Sequence, residues 1–320
     1  MLTAILRLLQ NMSIASADFA LSLLKQGSKP DENFVLSPFS LGSALAIVHD
    51  GAKQNTQAEL TNLLQKGGNA SDVTEYYSNL SSELLKSDKV KTAVANKFFI
   101  GENFELNADY KSHVTKKYNA SVANTDFGKP AAAAQEINSF VEQKTERMIK
   151  ELVTADALQD ARAVLVNAVY FKGAWEKEFD KSSTKDETFH GVKGDRQVPF
   201  MYARNVSAQY SFSDELQAVA LPYKDGAYSL LILMPTGDFA TWRANLTGEK
   251  LAAALGSMHK GKVNVEMPKF KIESTLPAKE TLAALGVNDI FDEKRADLTG
   301  ITNKEGIYVS DVVHKAVIDV

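Results

Sequence analysis

The sequence predicts an α+β fold in which helices gather around a large central sheet. Three observations point there. Apolar residues recur at helical spacing through the first 150 residues, with one alternating segment among them. Beyond residue 160 strand patterns dominate. No βαβ rhythm, repeat period or Gly/Pro/Ser-rich linker divides the chain. Residues 12–320 are therefore expected to form a single domain, with residues 1–11 as an N-terminal extension and Met12 as an alternative start.

Each element has its own signal. Phe19, Leu23 and Leu24 share one face of an opening helix that Gly27 ends. Ser37 and Pro38 start a second, the serine as cap and the proline at the first helical position. The run Thr56-Gln57-Ala58-Glu59 reads as a capping box for a short helix closed by Gly67 and Gly68. Another amphipathic segment passes through Tyr76, Leu80 and Leu84. Val94, Asn96 and Phe98 alternate with Ala95, Lys97 and Phe99, as in a strand entering a sheet. A long helix is expected from about Pro130 to Lys150, with Ile137, Val141, Met148 and Ile149 as its apolar stripe.

AVLVNAVYF (163–171) is too apolar for a half-exposed strand and reads as a central one. Shorter strands are expected near 187–193, 197–202, 206–212, 216–221 and 228–234, with Tyr223-Lys224-Asp225-Gly226 turning between the last two. Helices follow near 248–258 and 277–286, the second stopped by Gly286. VNVEMPKFKIE and IYVSDVVHKAVIDV read as long alternating strands.

Composition removes whole classes of chemistry. The 320 residues include no cysteine, which rules out disulfides, thiolate zinc sites, iron–sulfur clusters and a cysteine nucleophile. With 36 basic and 40 acidic residues the net charge is -4, too balanced for nucleic-acid or membrane binding by bulk charge. The apolar run in MLTAILRLLQN is short and no cleavage signature follows, so a cytoplasmic location is expected. Extracellular space is the alternative, tolerated by sequons at Asn11, Asn69, Asn79, Asn119, Asn205 and Asn245.

Catalytic signatures are missing. There is no G-x-S-x-G elbow, no H-E-x-x-H and no glycine-rich phosphate cradle. His49, His113, His190, His259 and His314 stand apart from one another in sequence. No enzyme activity, metal or cofactor is expected. His314 alone has an informative setting, sharing a mostly apolar strand face with Tyr308, Ser310, Val312, Ala316 and Ile318. A buried imidazole there must be satisfied by hydrogen bonds. Asn167, inside an apolar strand, and Ser37 and Ser40, at a helix start, are the matching buried polar groups. Together they read as a lock between helix and sheet.

Longer blocks then carry a resemblance. NFVLSPFSLGSALAIVHDGAKQNTQAEL resembles the second-helix signature of the serpin family. FGKPAAAAQEINSFVEQKTERMIKELV is similar to that family's long helix across the front of its central sheet. VLVNAVYFKGAWEKEF is similar to the third strand of that sheet. AVALPYKDGAYSLLILMP, VNVEMPKFKIESTLPAKETLAALGVNDIFDEKRADLTGI and YVSDVVHKAVIDV extend the resemblance over residues 13–320. Invertebrate intracellular-type members look most similar. His49-Asp50 departs from the pattern, which usually has leucine beside glycine.

The resemblance implies a serine-type endopeptidase inhibitor acting as a suicide substrate. In this family a reactive-centre loop is cut by its target and enters the central sheet as a new strand while still acylated to the protease. The resemblance further assigns Asn33, Ser37, Ser40, Asn167 and His314 to a "shutter" network beneath the middle of the sheet. It places Lys315 beside that network and makes Trp175 the "breach" residue near the top. The implied partner is a serine protease, or a cysteine protease, and after cleavage the protein's own C-terminal peptide. Nucleic acid and membrane are not implied. No reactive loop follows Val320, so the 320-residue chain is expected to be inactive by itself, with strand surface around 216–234 left uncovered. A non-inhibitory, serpin-like binding or chaperone protein is the alternative.

Overall fold

The computed structural model describes residues 14–66, 68–84, 90–224, 226 and 228–320. The expected N-terminal extension, the Asn11 sequon, Gly67 and Asp225 lie outside them. In chain order come α1 (Ile14–Gly27), α2 (Pro38–Gly51), α3 (Gln54–Gln65), α4 (Ala70–Leu84), β1 (Val90–Gly101), α5 (Ala108–Tyr118), β2 (Ser121–Thr125), α6 (Pro130–Lys144) and β3 (Ala163–Gly173). The second half contributes β4 (Lys185–Gly191), β5 (Gly194–Phe212), β6 (Leu216–Pro222), β7 (Ser229–Pro235), α7 (Phe239–Asn245) and α8 (Gly248–Gly256). β8 (His259–Pro268), β9 (Lys271–Pro277), α9 (Ala278–Ala284) and β10 (Asp311–Asp319) complete it.

Two five-stranded sheets result, one ordered β2-β1-β3-β10-β9 and the other β4-β5-β6-β7 with β8 also paired to β5. The α+β reading from sequence is therefore right. In the first sheet β1 and β3 are antiparallel, β3 and β10 parallel, and β10 and β9 antiparallel. Alternation along β3 divides the core. Ala163 and Leu165 join α2 residues Leu41, Leu45 and Val48 on one face. Val164, Val166 and Ala168 join Ile137 and Val141 of α6 on the other.

Several expectations need correction. Thr56 and Glu59 do not cap α3, whose N-cap is Lys53 without a side-chain bond. Both side chains serve tertiary contacts instead. Thr56 Oγ1 accepts from Asp297 N at 2.9 Å, and Glu59 Oε2 accepts from Asn288 N and Asp289 N at 2.8 Å each. The long helix stops at Lys144, because Glu146 and Arg147 adopt φ of 54° and 64°. The strands expected at 197–202 and 206–212 are one strand, β5, bent where its register with β8 shifts between Ala203 and Val206. VNVEMPKFKIE belongs to two strands in different sheets, parted after Pro268, which has no N–H to continue a ladder.

The surface around 216–234 is also better covered than expected. Leu221, Leu230 and Leu231 are at most 2% exposed. One face of these strands packs with Ala17 and Leu251, and the other with Tyr223 and Val263. Met234, at 55%, is the large apolar side chain of this stretch that remains exposed.

Candidate functional site

The site lies on the α2 side of the first sheet, where β3 meets β10. Register places Asn96 of β1, Asn167 of β3 and His314 of β10 in one row across three neighbouring strands. In-register residues point to the same face, so three polar side chains converge inside an apolar layer. Asn167 is fully buried and His314 is 1% exposed.

Hydrogen bonds define the chemistry of the row. Ser37 N–H donates to His314 Nε2 at 3.0 Å, so Nε2 carries the lone pair. The proton therefore sits on Nδ1, which donates to Asn167 Oδ1 at 2.5 Å. The two Nδ2 hydrogens of Asn167 are shared among three acceptors, Ser40 O at 2.9 Å, Ser40 Oγ at 2.5 Å and Asn96 Oδ1. Ser37 earns its place as the N-cap of α2, its hydroxyl accepting from Ser40 N at 3.3 Å with Pro38 following at the first helical position. Burial drives the His314 pKa down to about 4, so the imidazole is neutral at physiological pH. A neutral histidine whose Nε2 is taken by a backbone N–H and whose Nδ1 is bonded to an amide oxygen has no free nitrogen to act as a base, and is a clasp between helix and sheet.

Four of the five residues grouped by sequence meet here: Ser37, Ser40, Asn167 and His314. Asn33 does not join them. It is exposed, in the stretch between α1 and α2, and burial begins only at the residues after it. Asn96 was missed, although an asparagine alternating with Val94 and Phe98 is the same signal that marked Asn167. Lys315 points to the opposite face, where Nζ pairs with Glu273 at 2.7 Å and donates to Glu151 O at 3.2 Å. Trp175 sits just past the far end of β3 and stacks on Tyr223, with centroids 4.6 Å apart and planes 13° from parallel. A bridge between the same two residues holds this aromatic contact in place.

A second polar cluster occupies the other end of α2. Asp50, whose side chain is 5% exposed, accepts from Thr74 Oγ1 of α4 at 2.6 Å and from Tyr118 Oη of α5 at 2.8 Å. His113 Nε2, also on α5, lies 2.7 Å from Oδ2, and His49 Nδ1 lies 3.2 Å from Oδ1. Burial opposes ionisation of Asp50, but the bonds from His49, Thr74, Tyr118 and His113 prevail and hold its pKa below the usual carboxylate value. Two histidines far apart in sequence thus share one carboxylate. Among the described residues no three His, Cys, Asp or Glu side chains are arranged to hold a metal ion.

Comparison with known proteins gives a consistent result. The family model "Serpin (serine protease inhibitor)" matches residues 14–320. Human Serpin B3 is 33% identical over 340 residues, an alignment covering 98% of this chain and 86% of the relative. The leukocyte elastase inhibitor of Xenopus tropicalis is 31% identical over 98% of this chain and 86% of its own length. Among solved structures, Serpin48 of Tenebrio molitor superposes with a TM-score of 0.86 at 30% identity, covering 96% of this chain and 85% of that one.

Proposed function

The chain belongs to the serpin family, and from that premise we propose that it forms the body of a suicide-substrate inhibitor of serine proteases, with the β3–β10 seam as the place where a cleaved loop enters. Strand directions at the seam carry this reading. β3 and β10 run parallel over the register Val164–Tyr170 against Asp311–Val317, while their outer neighbours β1 and β9 are each antiparallel to them. A strand running the other way between them would be antiparallel to both, replacing one parallel ladder with two antiparallel ones. Antiparallel pairing is slightly the more stable per residue, and two ladders satisfy more backbone groups than one.

Geometry at the end of the seam agrees. β3 and β10 point the same way, and Trp175 and Val320, beyond their ends, pack into one apolar cluster. A segment continuing past Val320 must reverse direction to reach the seam, so it would arrive in the required orientation. The His314–Asn167 clasp would hold the seam shut until then. Inhibition on this reading needs a loop outside the 320 residues, and the polypeptide of residues 1–320 alone traps no protease.

The test is incubation of the natural protein, and separately of residues 1–320, with a panel of serine and cysteine proteases. An SDS-resistant complex with the natural protein only is the expected result. Turnover of the natural protein as a plain substrate, with no covalent complex, would overturn the inhibitory reading. A covalent complex with residues 1–320 would overturn the need for an outside loop.

A further inference from the structure

We propose that Asp50 is a latch between α2 and α5 that must release before the β3–β10 seam opens, and that it sets the rate of strand entry; this rests on the reading of the seam given above. Opening the seam divides the first sheet into two blocks. One contains β3, β1 and β2, joined by continuous ladders, together with α5, which runs directly into β2. The other contains β10 and β9, together with α9 and the connection from α9 to β10.

Helix α2 bridges the two at its C-terminal end. Towards the second block its attachment is backbone to backbone. Gly300 N donates to Gly51 O at 3.0 Å, and Lys53 N donates to Asp297 O at 2.9 Å. The contact is so close that a Cβ on Gly300 would lie 2.7 Å from Gly51 O, which leaves no room for sliding. Towards the first block, α2 is attached through side chains of α5: Tyr110 Oη donates to Ile47 O at 2.7 Å close to Asn107, and farther along the helix His113 and Tyr118 bond to Asp50.

The position of the pivot decides which attachment yields. At the start of the seam the blocks remain tied by Ser310 N to Ala163 O and by Asn107 N to Ile301 O, both at 2.8 Å. His113 and Tyr118 lie about 9 and about 16 Å farther along α5 than Asn107. Displacement about that pivot grows with distance, so it falls on the Asp50 bonds. The backbone contact with Gly300 keeps α2 with the second block, and the side-chain bonds are the ones that part.

The experiment measures how fast the native full-length protein takes up a synthetic alanine- and threonine-rich strand peptide, followed by native-gel shift and intact mass. Tyr118→Phe removes one latch bond with little change of shape, and Asp50→Asn weakens all of them. Leu251→Ala, in the buried layer beneath the second sheet, is the control for general destabilisation. Uptake about fivefold faster in the first two, the rate equivalent of one hydrogen bond, is expected, with the control unchanged. Equal rates in wild type and both latch variants overturn the proposal, as does equal acceleration by the control. If the wild type takes up no peptide, the seam reading itself fails and the latch falls with it.

Discussion

His314 Nδ1 donates to Asn167 Oδ1 at 2.5 Å across the parallel ladder between β10 and β3. This bond can exist only while the two strands are neighbours. A strand between them would move their axes from about 4.8 Å to roughly twice that separation, beyond direct reach of the side chains. The same imidazole also accepts from Ser37 at the start of α2. One buried side chain therefore couples the closure of the seam to the seating of a helix.

Replacing His314 by Ala should cost about 1–3 kcal/mol, because Ser37 N–H and Asn167 Oδ1 lose their partner in a buried layer. The midpoint of denaturant unfolding is the measurement. An unchanged midpoint would show that the clasp contributes nothing to the closed sheet.

The pH dependence follows from the His314 pKa of about 4 against a reference of 6.5. The unfolded chain binds this proton first, so the histidine makes stability rise with pH between those two values. Its contribution is complete above the unfolded pKa and lost as pH falls towards 4. The full effect is about 3 kcal/mol. Unfolding free energies of wild type and His314→Asn, compared from pH 4 to 7, should differ in slope over this window; parallel curves would contradict a neutral buried histidine.

Substitution of Gly173 by Ala should disturb the end of β3. A Cβ there would lie 2.6 Å from the Tyr223 ring, which is stacked on Trp175. The ring must shift, at a cost of about 1–3 kcal/mol. Trp175 and Trp242 are the two tryptophans of the sequence. A shift in indole emission together with a lower melting temperature is expected, and wild-type emission with wild-type melting would place Tyr223 in softer surroundings than the stack indicates.

Removing the carboxylate charge at Asp50 should destabilise the fold most at neutral pH and least at acid pH. The ionised form, favoured by four donors, contributes stability above the unfolded carboxylate pKa that is lost as pH falls through the lower folded value. Asp50→Asn abolishes that term and weakens the cluster, costing about 1–3 kcal/mol at neutral pH. Acid titration of unfolding should therefore bring the two proteins closer together as pH drops. A gap that stays constant from neutral to strongly acid pH would mean that the charge of Asp50 is not what the four donors stabilise.

Local pattern was enough for much of this. The Ser37-Pro38 start of α2 was legible because a cap and a proline act within one turn. Asn167 and His314 stood out because each interrupts an apolar strand face, where a polar group must find a partner. Asn96 carries the same signal more weakly, being set in a half-exposed alternation, and only the register with Asn167 reveals its role.

By itself the sequence determined the types of most elements, though not of α5, β2 and α7, together with many inward faces and the need for a buried polar lock, because spacing, caps and burial preference act over a few residues. The tertiary structure alone decided which strands became neighbours: that β3 meets β10 in parallel and that β8 and β9 part into different sheets. It also turned Thr56 and Glu59 from a helix cap to contacts with residues 288–297, and brought His113 to Asp50. Such pairings join residues far apart in the chain, and their energy comes from packing and hydrogen bonds between surfaces that exist only after the elements have formed. A local pattern can require a partner for a buried polar group, but the partner is chosen by the assembled fold.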